Sequence, residues 1–191
     1  MPFRAPGADP LEQVHELNRV FLTFLQTCAR DELDCLGLPD AARRRLRSAG
    51  TTELDSIAEF PRALFEVRVA APSAVPLQRY STERIESLRQ SMNLTILLCA
   101  WTFSRQSVYH ARFLLALDSA AIQRLRALQL TDLQRLAFAP DVVSCAFATR
   151  EWLWIELLTE TRAEARRQLA LVALQPGLER DWPARRTVQA S

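Results

Sequence analysis

Arginine is the residue type in this chain whose number and spacing could do chemistry. Arg43, Arg44, Arg45 and Arg47 stand within five positions with no acid among them. Guanidinium groups grip anions through paired N–H donors, so such a cluster permits an anionic partner. On a soluble helix the same residues can equally be a solvated face or structural ion-pair donors. Catalytic constellations are missing: there is no Gly-rich phosphate loop, no G-x-S-x-G, no H-E-x-x-H and no paired His and Cys. His15 and His110 are isolated and read as surface or packing residues. Cys28, Cys35, Cys99 and Cys145 form no C-x-x-C pair, which argues against a zinc site and a disulfide framework and for buried thiols. Cys28 and Cys35 are expected on one helix face. No enzyme activity, catalytic residue, metal, cofactor or small-molecule substrate is expected.

The elements that must position the arginines read as helices. Asp9-Pro10 is a helix start, followed by the stripe Leu11, Val14, Leu17, Phe21, Phe24, Leu25 and Cys28, so a first helix should reach the mid-30s. Gly37 and Pro39 break it, Asp40 to Ser48 reads as a short helix, and Thr51 and Thr52 offer caps for a third that closes before Pro61. Between Ala63 and Val69 apolar and polar residues alternate, which predicts a short strand. Residues 71–80, with Pro72 and Pro76, read as a linker. A long helix is expected from Ser81 or Thr82 through Phe113, with Trp101, Phe103 and Phe113 in the core. Asp118 should cap the next helix, and Thr131-Asp132-Leu133-Gln134 reads as a capping box. Val142 to Phe147 repeats the strand-like pattern, a final helix follows from 149 to 175, and 176–191 reads as a mobile tail. Trp152 and Trp154, two apart, point to different sides of that helix, making them candidates for a partner surface.

The chain also reads itself twice. Leu36 to Ala58 and Leu115 to Ala137, 79 positions apart, agree at 10 of 23 positions. The matches include Arg45, Leu46 and Arg47 with Arg124, Leu125 and Arg126, and Thr52 and Leu54 with Thr131 and Leu133. Helical periodicity explains the shared apolar positions but not the charged ones, so a duplication is expected. Asn93 stands where Asn18 stands at a shift of 75, as though one helical turn had been gained or lost in the long helix. The units are then 9–70 and 81–148.

Composition sets the outer bounds. The chain has 191 residues, 49% of them hydrophobic, four Gly and a net charge of +2. That suits a mainly α, globular protein. All 24 basic residues are Arg; residues 1–75 carry 9 against 11 acids, and 76–191 carry 15 against 11. The imbalance is too small to demand nucleic acid. The first residues do not read as a secretion signal, and the longest apolar stretch, Leu94 to Phe103, is too short to span a bilayer, so a cytoplasmic chain with no membrane partner is expected.

The segment Asn93 to Phe147 resembles the flagellar transcriptional regulator FlhD family. Its members carry a long first helix with an Asn near its start and a Leu-Gly-Ile-like turn. A short helix, a Leu-Thr-Leu-Pro-Gln-Met-like segment ending in Leu-Ala, and a Val-Cys-x-Phe-Arg-like strand follow. Here Leu128-Gln129-Leu130-Thr131-Asp132-Leu133 leads to Leu136-Ala137 and then to Val143-Ser144-Cys145-Ala146-Phe147. The first copy supplies Leu36-Gly37-Leu38 for the turn and Leu64-Phe65-Glu66-Val67-Arg68 for the strand, without the Cys. The two copies cover about 110 of 191 residues.

Family members are single units that dimerise and join a zinc-bearing FlhC partner in a DNA-binding transcriptional activator. The resemblance therefore implies an internal pseudo-dimer that regulates flagellar or related genes, binding DNA with an FlhC-like subunit. It also implies helix-turn-helix-like pairs, with Arg124, Arg126, Gln129, Gln134 and Arg135 in the second copy and Arg43, Arg44, Arg45 and Arg47 in the first as candidate DNA contacts. The cysteine of the family strand, which can link two subunits, falls on Cys145, expected here to be buried and unbridged. A non-enzymatic helical adaptor that kept the fold without DNA stands as the alternative. Homo-oligomerisation stays open.

Overall fold

Asp9 and Pro10 start the first helix as their types require. In the computed structural model, which describes residues 9–69 and 83–160 together with 165, 166, 168 and 169, α1 runs over Pro10–Arg30. Asp9 Oδ1 accepts the Leu11 N–H at 3.0 Å, and Pro10 takes the first helical position, where a missing N–H is harmless. Val14, Phe21, Leu22 and Leu25 are fully buried along its inner face. The helix stops before the mid-30s because the chain turns: Glu32 and Leu36 take left-handed backbone and Gly37 follows at φ +83°. Cys35 therefore lies beyond the helix that carries Cys28, and the two do not share its face.

Two short helices, α2 (Asp40–Ser48) and α3 (Thr51–Ala58), pack across α1. Gly50, in extended backbone, caps α3 in place of Thr51 or Thr52, because its carbonyl already accepts the Leu54 N–H at 3.0 Å. Strand β1 (Phe65–Val67) follows. The helix expected as one piece through Phe113 is two: α4 (Arg84–Gln106) and α5 (Val108–Leu115). Ser107 separates them in extended backbone; its N–H donates to the Phe103 carbonyl at 2.8 Å and its hydroxyl accepts the His110 N–H at 3.3 Å. One serine thus closes one helix and caps the next. The extra turn expected in the long helix is also absent. α1 and α4 end at Arg30 and Gln106, almost equally far beyond Asn18 and Asn93, and the added residues lie mainly in the 107–118 connection that holds α5.

Asp118 caps α6 (Ser119–Ala127) as expected, accepting the Ala121 N–H at 2.6 Å. α7 (Leu130–Leu136) starts earlier than its sequence suggests. Its capping carboxylate is Asp132, which takes the Gln129 N–H at 2.9 Å, so Thr131 and Gln134 are helix-surface residues instead of the capping pair. Strand β2 (Val143–Cys145) pairs antiparallel with β1 in the register Phe65 to Cys145, Glu66 to Ser144 and Val67 to Val143. α8 (Glu151–Thr159) packs on α2 and α3. The linker at 71–80, the helix start at Ser81 or Thr82, the tail at 176–191 and most of the final helix beyond 160 lie outside the described residues.

Within this mainly helical fold, α1 carries α2 and α3, α4 carries α6 and α7, and α1 and α4 pack on one another. Both halves share one hydrophobic core. Main-chain bonds also cross between them: Ala63 N–H to the Leu114 carbonyl at 2.8 Å and Cys145 N–H to that of Leu36 at 2.9 Å. Asn18 is buried, and its Nδ2 donates to the carbonyls of Ala58 (3.2 Å), Phe60 (3.2 Å) and Arg62 (3.0 Å), while Oδ1 accepts the Leu64 N–H at 2.9 Å. Asn93, also buried, donates to Ala137 (3.0 Å) and Ala139 (3.4 Å), and its Oδ1 has no partner. Length explains the difference: residues 59–64 join Ala58 to β1, whereas only 138–142 join Ala137 to β2, one residue fewer.

Two stability outcomes follow. Asn18→Ala strands buried main-chain groups at about 1–3 kcal/mol each, so it should lower the denaturation midpoint more than Asn93→Ala. Equal losses in a urea titration would contradict the asymmetry. Ala116, in left-handed backbone at φ 58°, aligns with Gly37 at the 79-residue shift. Ala116→Gly should raise stability by about 1 kcal/mol, or roughly 2–4 °C in Tm, while Gly37→Ala lowers it, as calorimetry will show.

Candidate functional site

The nine residues that could meet DNA divide by what already holds them. On α2, Arg43 Nη2 pairs with Asp40 Oδ1 at 2.8 Å, and Arg47 Nη1 with Glu32 Oε1 at 3.1 Å. Arg44 and Arg45 are exposed and have no side-chain partner among the described residues. On α6, Arg124 Nη1 donates to the Val69 carbonyl at 3.0 Å and Arg126 Nε to that of Ser104 at 2.6 Å. Val69 follows β1 and Ser104 lies on α4, so these guanidiniums tie α6 to its neighbours. The matched pairs therefore diverge: Arg45 is free where Arg124 is bonded, and Arg47 meets a carboxylate where Arg126 meets a carbonyl. Gln129, Gln134 and Arg135 are exposed, and Arg135 has no partner among the described residues.

The two tryptophans part company as well. Trp154 is fully buried and its Nε1 donates to the Ala146 carbonyl at 2.9 Å, so its indole lies inside the chain and offers no surface to a partner. Trp152 is half-buried and packs against the core.

The aromatic residues of the second long helix are likewise divided. Phe103 is buried as expected, and Trp101 is half-buried, with Nε1 donating to the Leu128 carbonyl at 3.0 Å and the Arg105 guanidinium 4.6 Å from its ring centre. Phe113 is 51% exposed, not core, because the break at Ser107 turns α5 away from the line of α4. Tyr109 stacks on it with ring centroids 5.7 Å apart. The polar run Ser104-Arg105-Gln106-Ser107, with Ser107 three residues before His110, was the sequence signal for that break, hidden because the apolar residues on either side of it keep a helical spacing.

All four cysteines are free. The Cys145 thiol donates to the Cys35 carbonyl at 3.4 Å, and that of Cys35 to the Leu25 carbonyl at 3.7 Å. Burial pushes Cys28 and Cys99 up to about 12 and Cys35 up to about 11, and holds Cys145 well above its ordinary value. These are inert thiols rather than nucleophiles or metal ligands. Burial also lowers His15 from its ordinary value. Among the described residues no group of three or more His, Cys, Asp or Glu could hold a metal ion, and no helix is long and apolar enough to cross a membrane. The chain matches no family model, no curated protein and no solved structure.

Arg124→Ala and Arg126→Ala should each cost about 1 kcal/mol of stability, while Arg45→Ala should stay within about 0.5 kcal/mol of the parent. Three urea titrations give the comparison, and a silent Arg124→Ala would remove that guanidinium from the fold. The thiols predict a pH dependence. Their folded values lie above the ordinary 9.0, so the protonated form is favoured in the fold. Their contribution is complete below pH 9 and is lost as pH rises from 9 towards 12. Stability that climbed over that range would contradict this assignment.

Proposed function

We propose that the chain is two FlhD-like units fused in tandem into an internal pseudo-dimer, and that it regulates transcription by binding DNA together with an FlhC-like second subunit. The repeated asparagine clamp carries this reading. Asn18 to Ala58 and Phe60, and Asn93 to Ala137 and Ala139, use carbonyls related by the same 79 positions that relate the two sequence copies. A shared leucine spacing would not reproduce a buried side-chain contact. The β1–β2 pair adds support, since an antiparallel ladder centred on Glu66 and Ser144 is the contact an isologous pair of units would make.

In this reading Arg44, Arg45 and Arg135 reach phosphate, because they are the candidate arginines without a partner among the described residues. The adaptor reading has its own observation. Arg124 and Arg126 are bonded to main-chain carbonyls and Arg43 and Arg47 to carboxylates, which leaves few cations for a duplex.

Crosslinking the tagged protein in its native host, capturing it and sequencing the associated DNA separates the two. Discrete peaks upstream of genes, lost when Arg44, Arg45 and Arg135 are replaced by Ala, are the expected outcome. A featureless profile with expression and capture confirmed would leave the adaptor.

A further inference from the structure

We infer that α5 is a docking site for an acidic, amphipathic helical segment of another protein. The inference is independent of whether the chain touches DNA.

Val108, Tyr109, Arg112 and Phe113 fall at positions i, i+1, i+4 and i+5, so they share one face of α5. Together they line an open cleft of about 440 Å³. Tyr109 is 67% exposed and Phe113 51%, and their rings lie nearly parallel, 4° apart. Large aromatic side chains left together in water are a recognised mark of an interaction surface. The helix behind them is firmly seated. Ala111, Leu114 and Leu115 are buried on its other face, Ser107 fixes its start, and the Leu114 carbonyl receives the Ala63 N–H from the first half of the chain. A preformed apolar face on a fixed helix suits a segment that lays its own apolar stripe into the cleft.

Charge selects the occupant. Arg112 is the one charged residue lining the cleft at neutral pH, and it has no ion pair or side-chain hydrogen bond among the described residues. From Ser87 to Leu117 the sequence has no Asp or Glu, while Arg105 precedes the aromatic pair by four residues and Arg112 lies within it. A partner with large apolar anchors and acidic neighbours satisfies both features. A second copy of this chain does not, since the same face on a two-fold partner brings another Arg112 and no acid from this stretch. Area points the same way: eight residues of helix are about 12 Å long and roughly 10 Å wide, so one face offers on the order of 100 Å², far short of the roughly 800 Å² per partner that a stable dimer buries. Nucleic acid is disfavoured because Tyr109 and Phe113 already stack on each other and a single cation lines the cleft.

The test is a random-peptide display selection on the full-length chain, counter-selected against the double variant Tyr109→Ser, Phe113→Ser. These side chains are exposed, and circular dichroism checks that the helices persist; Arg112→Glu is a second bait that leaves the apolar face intact. The expected winners carry two or more large apolar residues at helical spacing and a net negative charge. They should bind the double variant and Arg112→Glu at least about tenfold more weakly, and weaken as salt is raised. Three results overturn the proposal. One is a selection with no clone that distinguishes the parent from the double variant. Another is a set of face-dependent winners that are neutral or basic. The third is a different occupant, seen either as single-stranded oligonucleotide binding that the double variant loses or as a dimer in sedimentation that it converts to monomer.

Discussion

The side chain of Asn18 sits without solvent contact on the inner face of α1, and three carbonyls converge on its nitrogen while its oxygen receives a main-chain N–H. An amide nitrogen has two hydrogens, so the three acceptors share them. In the segment that runs from the end of α3 into β1, the carbonyls of Ala58, Phe60 and Arg62 and the Leu64 N–H find their partner in this side chain, where burial would otherwise cost each of them its water. By satisfying that segment, one polar side chain fixes where α3 ends and where β1 begins. The strand's register against β2, and with it the seam between the halves, depends on that placement. Phe65, delivered into the core by this turn, meets Phe21 of α1 with ring centroids 5.6 Å apart.

The seam itself is small. Two strands of three residues would be marginal alone in water, and their persistence rests on what lies on both sides. Arg68 N–H reaches the Val142 carbonyl and Ala146 N–H that of Leu64, each at 2.9 Å, extending the ladder beyond the strands proper. The Arg62 and Arg150 guanidiniums lie 5.9 and 5.8 Å from the Phe147 ring centre, one from each half of the chain. The second half holds its turn less completely, since its connection is one residue shorter and cannot bring an N–H to Asn93 Oδ1. The two halves are thus alike in plan and unequal in how well each is closed.

Most of this plan was legible in the sequence. Asp9-Pro10, Asp118, the break at Gly37 and Pro39, and both strand-like stretches announce themselves through local chemistry that tertiary contacts then preserve. What was hidden depends on contacts remote in sequence or on competition between neighbouring caps. Ser107 divides what the apolar spacing on either side reads as one helix, because its hydroxyl and N–H serve two helix ends at once. Asp132 displaces Thr131 as the capping side chain because it can reach the Gln129 N–H. The pairing of β1 with β2 joins residues nearly 80 apart and leaves no local trace. For the surfaces, the arginine positions could be read but not their partners, so Arg124 and Arg45 looked equivalent until the carbonyl of Val69 distinguished them.

The placement of α8 also bears on how the chain comes to be folded. It comes more than 90 residues after α3, yet Leu153, Trp154, Leu157 and Leu158 are buried in a helix that lies on α2 and α3 of the first half. The ribosome releases Ala58 long before Thr159; at roughly 5–20 residues per second the interval is on the order of ten seconds. Through that interval the outer side of α2 and α3 has no cover from its own helix. The first half of the chain therefore waits for a helix translated about a hundred residues after Ala58, although its own sequence emerges first. Until α8 arrives, the side of α2 and α3 that it covers stays open to solvent, an exposure that a helix following α3 directly would have closed at once.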